Sequence, residues 1–158
     1  MSWRRARLTS SRRRARGVAT IEAAITLPLL LLLMFVTAEI SRAFVQYTIL
    51  ASSVRNASRH LASKALLGTT QTVFISPALL AETRNLAVYG NQAGSGLPQL
   101  PGLSIAQVTV SDAGGSNVLV SAMYPYQPLF SAGLPTLGIG GPVSMVFDMR
   151  IDVTMRAL

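Results

Sequence analysis

Three patterns of apolar and polar positions divide the chain. From Val18 to Ala38 the sequence VATIEAAITLPLLLLLMFVTA is apolar all round, with one charge at Glu22. As a helix it would reach about 31 Å, close to the hydrocarbon thickness of a bilayer. From Glu39 to Leu67 there is neither Gly nor Pro. Apolar or small residues recur at Ile40, Phe44, Tyr47, Ala51, Val54, Ser58, Leu61 and Ala65, alternating steps of four and three. That is one stripe of a helix. The two patterns together predict one continuous helix from about 19 to 67, half in the membrane and half packed on a globular head. Gly68 is its left-handed stop. Arg55, Arg59 and His60 fall off the stripe and read as surface residues.

The remainder follows a different rule. Ser76-Pro77 offers a cap residue followed by Pro at the first helical position, so a second helix should run from there to about Tyr89 and end at Gly90. Residues 90–102 are a Gly/Pro loop. Ser104–Val110 alternates and reads as a strand, residues 111–117 as a turn, and Val118–Tyr124 as the returning strand. A second loop covers residues 131–142. In the last stretch Met145, Phe147, Met149, Ile151, Val153 and Met155 share one face, and Asp148, Arg150, Asp152 and Arg156 lie on the other. This period of two predicts a half-buried antiparallel strand. The expected fold is α+β: a long N-terminal helix packed on a small antiparallel sheet of about three strands, with the short helix on the same side. The expected division is a basic leader at 1–17, a transmembrane helix at 18–38, an amphipathic continuation at 39–67 and a head at 68–158.

Charge changes the picture once it is located. The net charge is +8, but seven of the 14 basic residues lie in the first 16 positions, among them Arg12, Arg13, Arg14 and Arg16. The arm is therefore a topogenic leader beside an apolar span, and nucleic-acid binding is not needed to explain it. The positive-inside rule keeps it cytoplasmic and places the head on the other side. Glu22 does not prevent insertion. A central acid costs about 2.5–3.5 kcal/mol, and the 11 Leu, Ile, Phe and Val residues of the span return roughly 3–6 kcal/mol on the same scale. Pro28 inside the span is tolerated better in a membrane than in a water-exposed helix.

Composition narrows the chemistry. With no cysteine and one histidine, a disulfide scaffold, a thiolate metal site and a cysteine nucleophile are excluded. Asp148 and Asp152 would stand about 13 Å apart along a strand, too far for a glycosidase pair. Asp112 sits among turn-forming residues, too few for a calcium site. No enzyme, metal or cofactor is expected.

Three readings of the arm and span remain open: a signal peptide cut after Val36-Thr37-Ala38, a permanent single-pass anchor, and a pilin-type leader cut on the cytoplasmic side. The signal-peptide reading gives no reason for a glutamate at the entrance of the apolar run. Gly17 closes the basic arm, Val18 opens the apolar run, and Glu22 is fifth from that start.

This arrangement, over residues 12–62, resembles the TadE-like family of minor pseudopilins of tight-adherence (Flp-type) pili. The resemblance rests on the basic leader, Gly17, Glu22, Pro28 within the apolar helix and the Ala/Arg-rich stretch beyond. Two positions depart from the commoner pattern: Ala23 stands where many members carry an aromatic residue, and Val18 where true pilins often have Phe or Met. The resemblance implies a pilin-like architecture and cleavage between Gly17 and Val18 by a prepilin peptidase. It implies other pilins or pseudopilins, inner-membrane pilus assembly proteins and membrane lipid as partners. Glu22 would then set register, pairing with the new α-ammonium of Val18 on a neighbouring subunit. An uncut membrane scaffold and a secreted binding domain are the alternative functions.

Overall fold

The structure is a computed structural model, and it describes residues 8–66, 72–129, 133, 141 and 143–158, with the side chains of residues 8–16 left aside. Gly68 and most of the 131–142 loop therefore lie outside the described residues.

The chain is α+β. Helix α1 (Leu8–Lys64) runs without interruption for 57 residues. It begins within the basic arm, eleven residues before the expected start at 19, because nothing between Leu8 and Val18 breaks it. Inside α1, hydroxyl groups bond back to the helix itself: Thr26 Oγ1 donates to the Glu22 carbonyl at 2.9 Å, and Thr37 Oγ1 to the Met34 carbonyl at 2.9 Å. Such self-satisfied hydroxyls suit an apolar surrounding. Helix α2 (Pro77–Tyr89) has the expected caps. The Ser76 side chain accepts from the Leu79 N–H, and Gly90 closes the helix at φ 73°.

Strands β1 (Val108–Gly114), β2 (Asn117–Pro125) and β3 (Asp148–Arg156) form one antiparallel sheet in that order. Two strand starts differ from the sequence reading. Residues Ile105–Gln107 form a turn of 3-10 helix, held by the Ser104 N–H donating to Gln107 Oε1 at 2.8 Å; β1 starts after it and extends into the expected turn as far as Gly114. A register shift between Asp112 and Gly114 absorbs the extra length. The reversal is then only Gly115-Ser116, both with positive φ, which matches the twist of the flanking strands. At the other end β3 begins at Asp148, not Met145; the Phe147 ring just before it stacks on Tyr126 at 5.0 Å.

The core lies between the inner face of the sheet and the two helices. Val118, Val120, Ala122 and Tyr124 of β2 and Met149 and Ile151 of β3 pack toward Leu50, Val54, Ala57 and Leu61 of α1 and Leu79, Ala87 and Val88 of α2. The helical stripe expected from the sequence holds from Ala51 onward. Ile40, Phe44 and Tyr47 lie on the same stripe but are exposed. Over that lower stretch it is Glu39 and Gln46 that are covered instead, and Ala43 packs against the core.

The sheet runs lengthwise along α1. At one end the Leu158 N–H donates to the Ala62 carbonyl at 2.9 Å and the Ala157 N–H to the Ser116 carbonyl at 2.8 Å. At the other, Tyr126 reaches Glu39. Twenty-three residues of helix span about 35 Å and nine strand steps about 30 Å, so β2 extends nearly the whole distance. The 115–116 turn is thus the tip of the head, and residues 126–129 and 143–148 form its base.

Gly90 tests the α2 stop. A Cβ there would run into the Gln99 side-chain amide, and the left-handed backbone itself costs an L side chain about 1–2 kcal/mol. Gly90→Ala should lower the thermal unfolding temperature of the detergent-solubilised chain, with a loss of about 1–2 kcal/mol; an unchanged transition would show that α2 does not need this stop.

Candidate functional site

The residues that the sequence singles out lie along α1 and do not converge on a pocket. Gly17 and Val18, adjacent on one turn of unbroken helix, and Glu22, on the next, are all exposed. Gly17 is helical with nothing within 4 Å of where a Cβ would stand. Neither close packing nor a positive φ requires a glycine here, while glycine inside a helix costs roughly 0.5–1 kcal/mol against alanine. Pro28 is accommodated within α1, although it has no N–H to offer the carbonyl of Ala24. Arg12, Arg13, Arg14 and Arg16 share the helical backbone. The helix from Gly17 to Lys64 is long and apolar enough to cross a membrane, with a window of mean hydropathy 2.2 that is uncovered among the described residues.

A second carboxylate, which the sequence reading passed over, proves to organise the head. Glu39 is the first residue past the apolar run, and only 2% of it is exposed. Its Oε1 accepts from the Tyr126 hydroxyl at 2.6 Å and from the Leu129 N–H at 3.0 Å. A buried carboxylate is tolerated only when hydrogen-bonded, and these two bonds fix the strand exit after β2 to the helix. Burial pushes the Tyr126 hydroxyl up to about 12, and its hydrogen bond to the Glu39 carboxylate pushes in the same direction. Burial also raises Tyr124, against the opposing charge of Arg42; the Tyr124 hydroxyl donates to the Pro101 carbonyl at 2.9 Å. The available signal for this junction was positional: an acid at the end of an apolar span and a Tyr124-Pro125-Tyr126 exit from a strand.

A further polar cluster joins the two helices. His60 Nε2 and Lys64 Nζ of α1 meet Glu82 Oε2 of α2 at 3.1 and 3.2 Å. The hydrogen bonds of His60 and then Lys64 hold the Glu82 carboxyl below its ordinary range. His60 is therefore a contact between helices, not the surface histidine expected. Arg55 and Arg59 are exposed as expected. Asp152 accepts from the Ser121 hydroxyl and from Arg150 Nε at 3.0 Å, and that hydroxyl bond, followed by Arg150, lowers its pKa. Asp112 caps its own turn, accepting from the Gly114 N–H at 2.8 Å. Among the described residues, no three His, Asp or Glu side chains gather as a metal site.

With this geometry in hand, comparison with protein families gives one match: residues 17–59 match the family model described as TadE-like protein. The matched segment is TadE-like, as the resemblance of residues 12–62 implied. It begins at Gly17 and carries Glu22, Pro28 and Glu39. Neither the curated proteins nor the solved structures compared with the chain gave a match.

Two outcomes follow for the Glu39 junction. Glu39→Ala leaves the Leu129 N–H without its acceptor and the Tyr126 hydroxyl with only the longer contact to the residue 39 carbonyl, at 3.3 Å, and should cost about 1–3 kcal/mol. It should also open residues 126–129 to proteolysis, while Glu39→Gln retains most of the protection. The Tyr126 pKa is raised above 10.0 in the fold, so its contribution is whole below pH 10 and is lost as pH climbs toward 12. Tyr126→Phe should remove that alkaline step from a pH series of unfolding temperatures.

Proposed function

We propose that the protein is a minor pseudopilin-like structural subunit for assembly of a tight-adherence (Flp-type) pilus. The observation that carries this reading is the TadE-like match over residues 17–59. Its first residue is the glycine at which the basic arm meets the apolar run.

On this reading residues 18–38 span the inner membrane once, the Arg12, Arg13, Arg14 and Arg16 arm stays cytoplasmic, and the head stands outside the cytoplasm. A prepilin peptidase cuts between Gly17 and Val18. Packing does not explain Gly17, whereas a cleavage site does: a glycine makes the helix easier to unwind locally, as a protease needs for its scissile bond. Cleavage leaves an α-ammonium on Val18, one turn from Glu22. In lipid a lone carboxylate needs a partner. Packed beside a second subunit, Glu22 can face that subunit's ammonium. Opposite charges 4 Å apart attract by about 4 kcal/mol at an effective dielectric near 20, against about 1 kcal/mol in water. Such a pair would fix the axial offset between neighbouring helices. The work of the protein is then assembly through helix packing, with other pilins or pseudopilins and inner-membrane assembly proteins as partners, and no cofactor.

The continuity of α1 through Ala38 and Glu39 weighs against a signal-peptide cut at that bond, because the cut would place a new chain end on the residue that holds the base of the head.

The N-terminal residue of protein recovered from membranes and from sheared surface material tests the reading. A start at Val18 is expected, and Gly17→Leu should abolish it. An intact arm found only in membranes would make the protein an uncut scaffold, and a start at Glu39 would make it an exported domain. Glu22→Ala should leave cleavage in place and reduce piliation; unchanged piliation would remove the register role.

A further inference from the structure

The base of the head exposes apolar side chains at one level. The Leu129 N–H is bound to the Glu39 carboxylate, so Leu129 lies level with the first residue beyond the 18–38 run. The Phe147 ring stacks on Tyr126, and its carbonyl accepts from the Tyr126 N–H at 2.9 Å, which places Phe147 at that level too. Leu129 is 64% exposed, and Val146, beside Phe147, is 62% exposed. On the helix, Ile40, Phe44 and Val45 are exposed in turn, Phe44 by 68%. Phe44 stands about 9 Å along α1 from Ala38, and helical side chains lean toward the N-terminus, here toward the membrane end. The polar layer on each side of a bilayer is some 5–7 Å deep. Glu39, at the same level, is turned inward. Asp148, next to Phe147, borders the open outer side of the sheet together with Arg150.

We infer that the underside of the head is a lipid-contact surface: Leu129, Val146 and Phe147 from the head, with Ile40, Phe44 and Val45 from α1, settle into the headgroup layer of the membrane that α1 crosses. The occupant is the bilayer because these side chains continue the apolar surface of the 18–38 run at the depth where that run leaves the hydrocarbon, and exposed Phe and Leu side chains gain by burial at the boundary of headgroups and acyl chains. The two bonds to Glu39 hold the base at a fixed height on α1, so the head rests on the membrane instead of swinging above it. The inference depends on residues 18–38 spanning a bilayer.

The chain has no cysteine, so single-cysteine variants of the full protein can carry a nitroxide in vesicles of phosphatidylcholine and phosphatidylglycerol. Labels on Phe44→Cys, Leu129→Cys and Val146→Cys are compared with Leu31→Cys, within the apolar run, and Leu97→Cys, in the loop after α2. Accessibility to oxygen and to a water-soluble nickel chelate gives the depth of each. The expected result is an oxygen-to-nickel ratio at all three positions that lies between the two references. Aqueous values at Leu129→Cys and Val146→Cys, with Leu31→Cys deep, overturn the lipid contact and leave the span standing. Exclusion of both reagents with dipolar broadening overturns it in favour of a second copy of the chain. An aqueous Leu31→Cys removes the span, and the contact with it.

Discussion

The head is assembled on one face of α1, the strip from Leu50 to Ala65 that lies against the sheet. Three strands and a short helix bury little apolar surface by themselves, and a domain of this size is marginal. A helix that is already formed supplies the missing half of the core without a new chain reversal. This explains why the strands lie lengthwise along α1: only in that direction can a nine-residue strand such as β2 stay in contact with the strip throughout. It also makes the head dependent on the continuity of the helix at the point where its surroundings change.

That point is occupied by a carboxylate. Glu39 and Glu22 are both acids on the same helix, and they differ in what surrounds them. Glu39 finds a hydroxyl and a backbone N–H from its own chain and is covered. Glu22 is exposed in a run that is otherwise apolar, and the protein folds without enclosing it. The same side-chain chemistry thus serves an internal latch in one place and leaves an outward-facing charge in the other. Tyr126 links the latch to the sheet, and its stacking on Phe147 passes the constraint to the approach of β3.

Much of this was legible where a single local rule decides. The Ser76 cap, Pro77 and Gly90 delimit α2 through hydrogen-bond needs of helix ends, and these need no tertiary information. The alternation through Met149, Ile151, Val153 and Met155 identifies β3 because one face must be apolar. The helical stripe was correct as a stripe but not as a burial pattern: periodicity says which residues share a face, whereas Ile40, Phe44 and Tyr47 are bare because the sheet does not cover that side so low. The start of β1 was misplaced because the turn of 3-10 helix before it and the register shift at Asp112–Gly114 both depend on pairing with β2. Glu39 and His60 were passed over for a related reason. Each gains its role from a partner far along the chain, Tyr126 for one and Glu82 for the other, and neither distance is written in the spacing. The Gly17, Glu22 and Pro28 set was legible only as a pattern at a junction of basic and apolar sequence, and the structure adds that the fold itself makes no demand for the glycine.

The lengthwise sheet also has a mechanical consequence. The strands rise and fall between base and tip, parallel to the helix that anchors them. A load applied at the tip, through the 115–116 turn or the end of β3, therefore pulls along the strands. In that direction β2 and β3, paired from Asn117–Arg156 to Pro125–Asp148, must slide past one another, so their cross-strand bonds share the strain and fail together. Had the sheet lain across α1, the same load would have peeled those bonds one at a time. A small head is in this way given resistance to tension along the axis on which it stands.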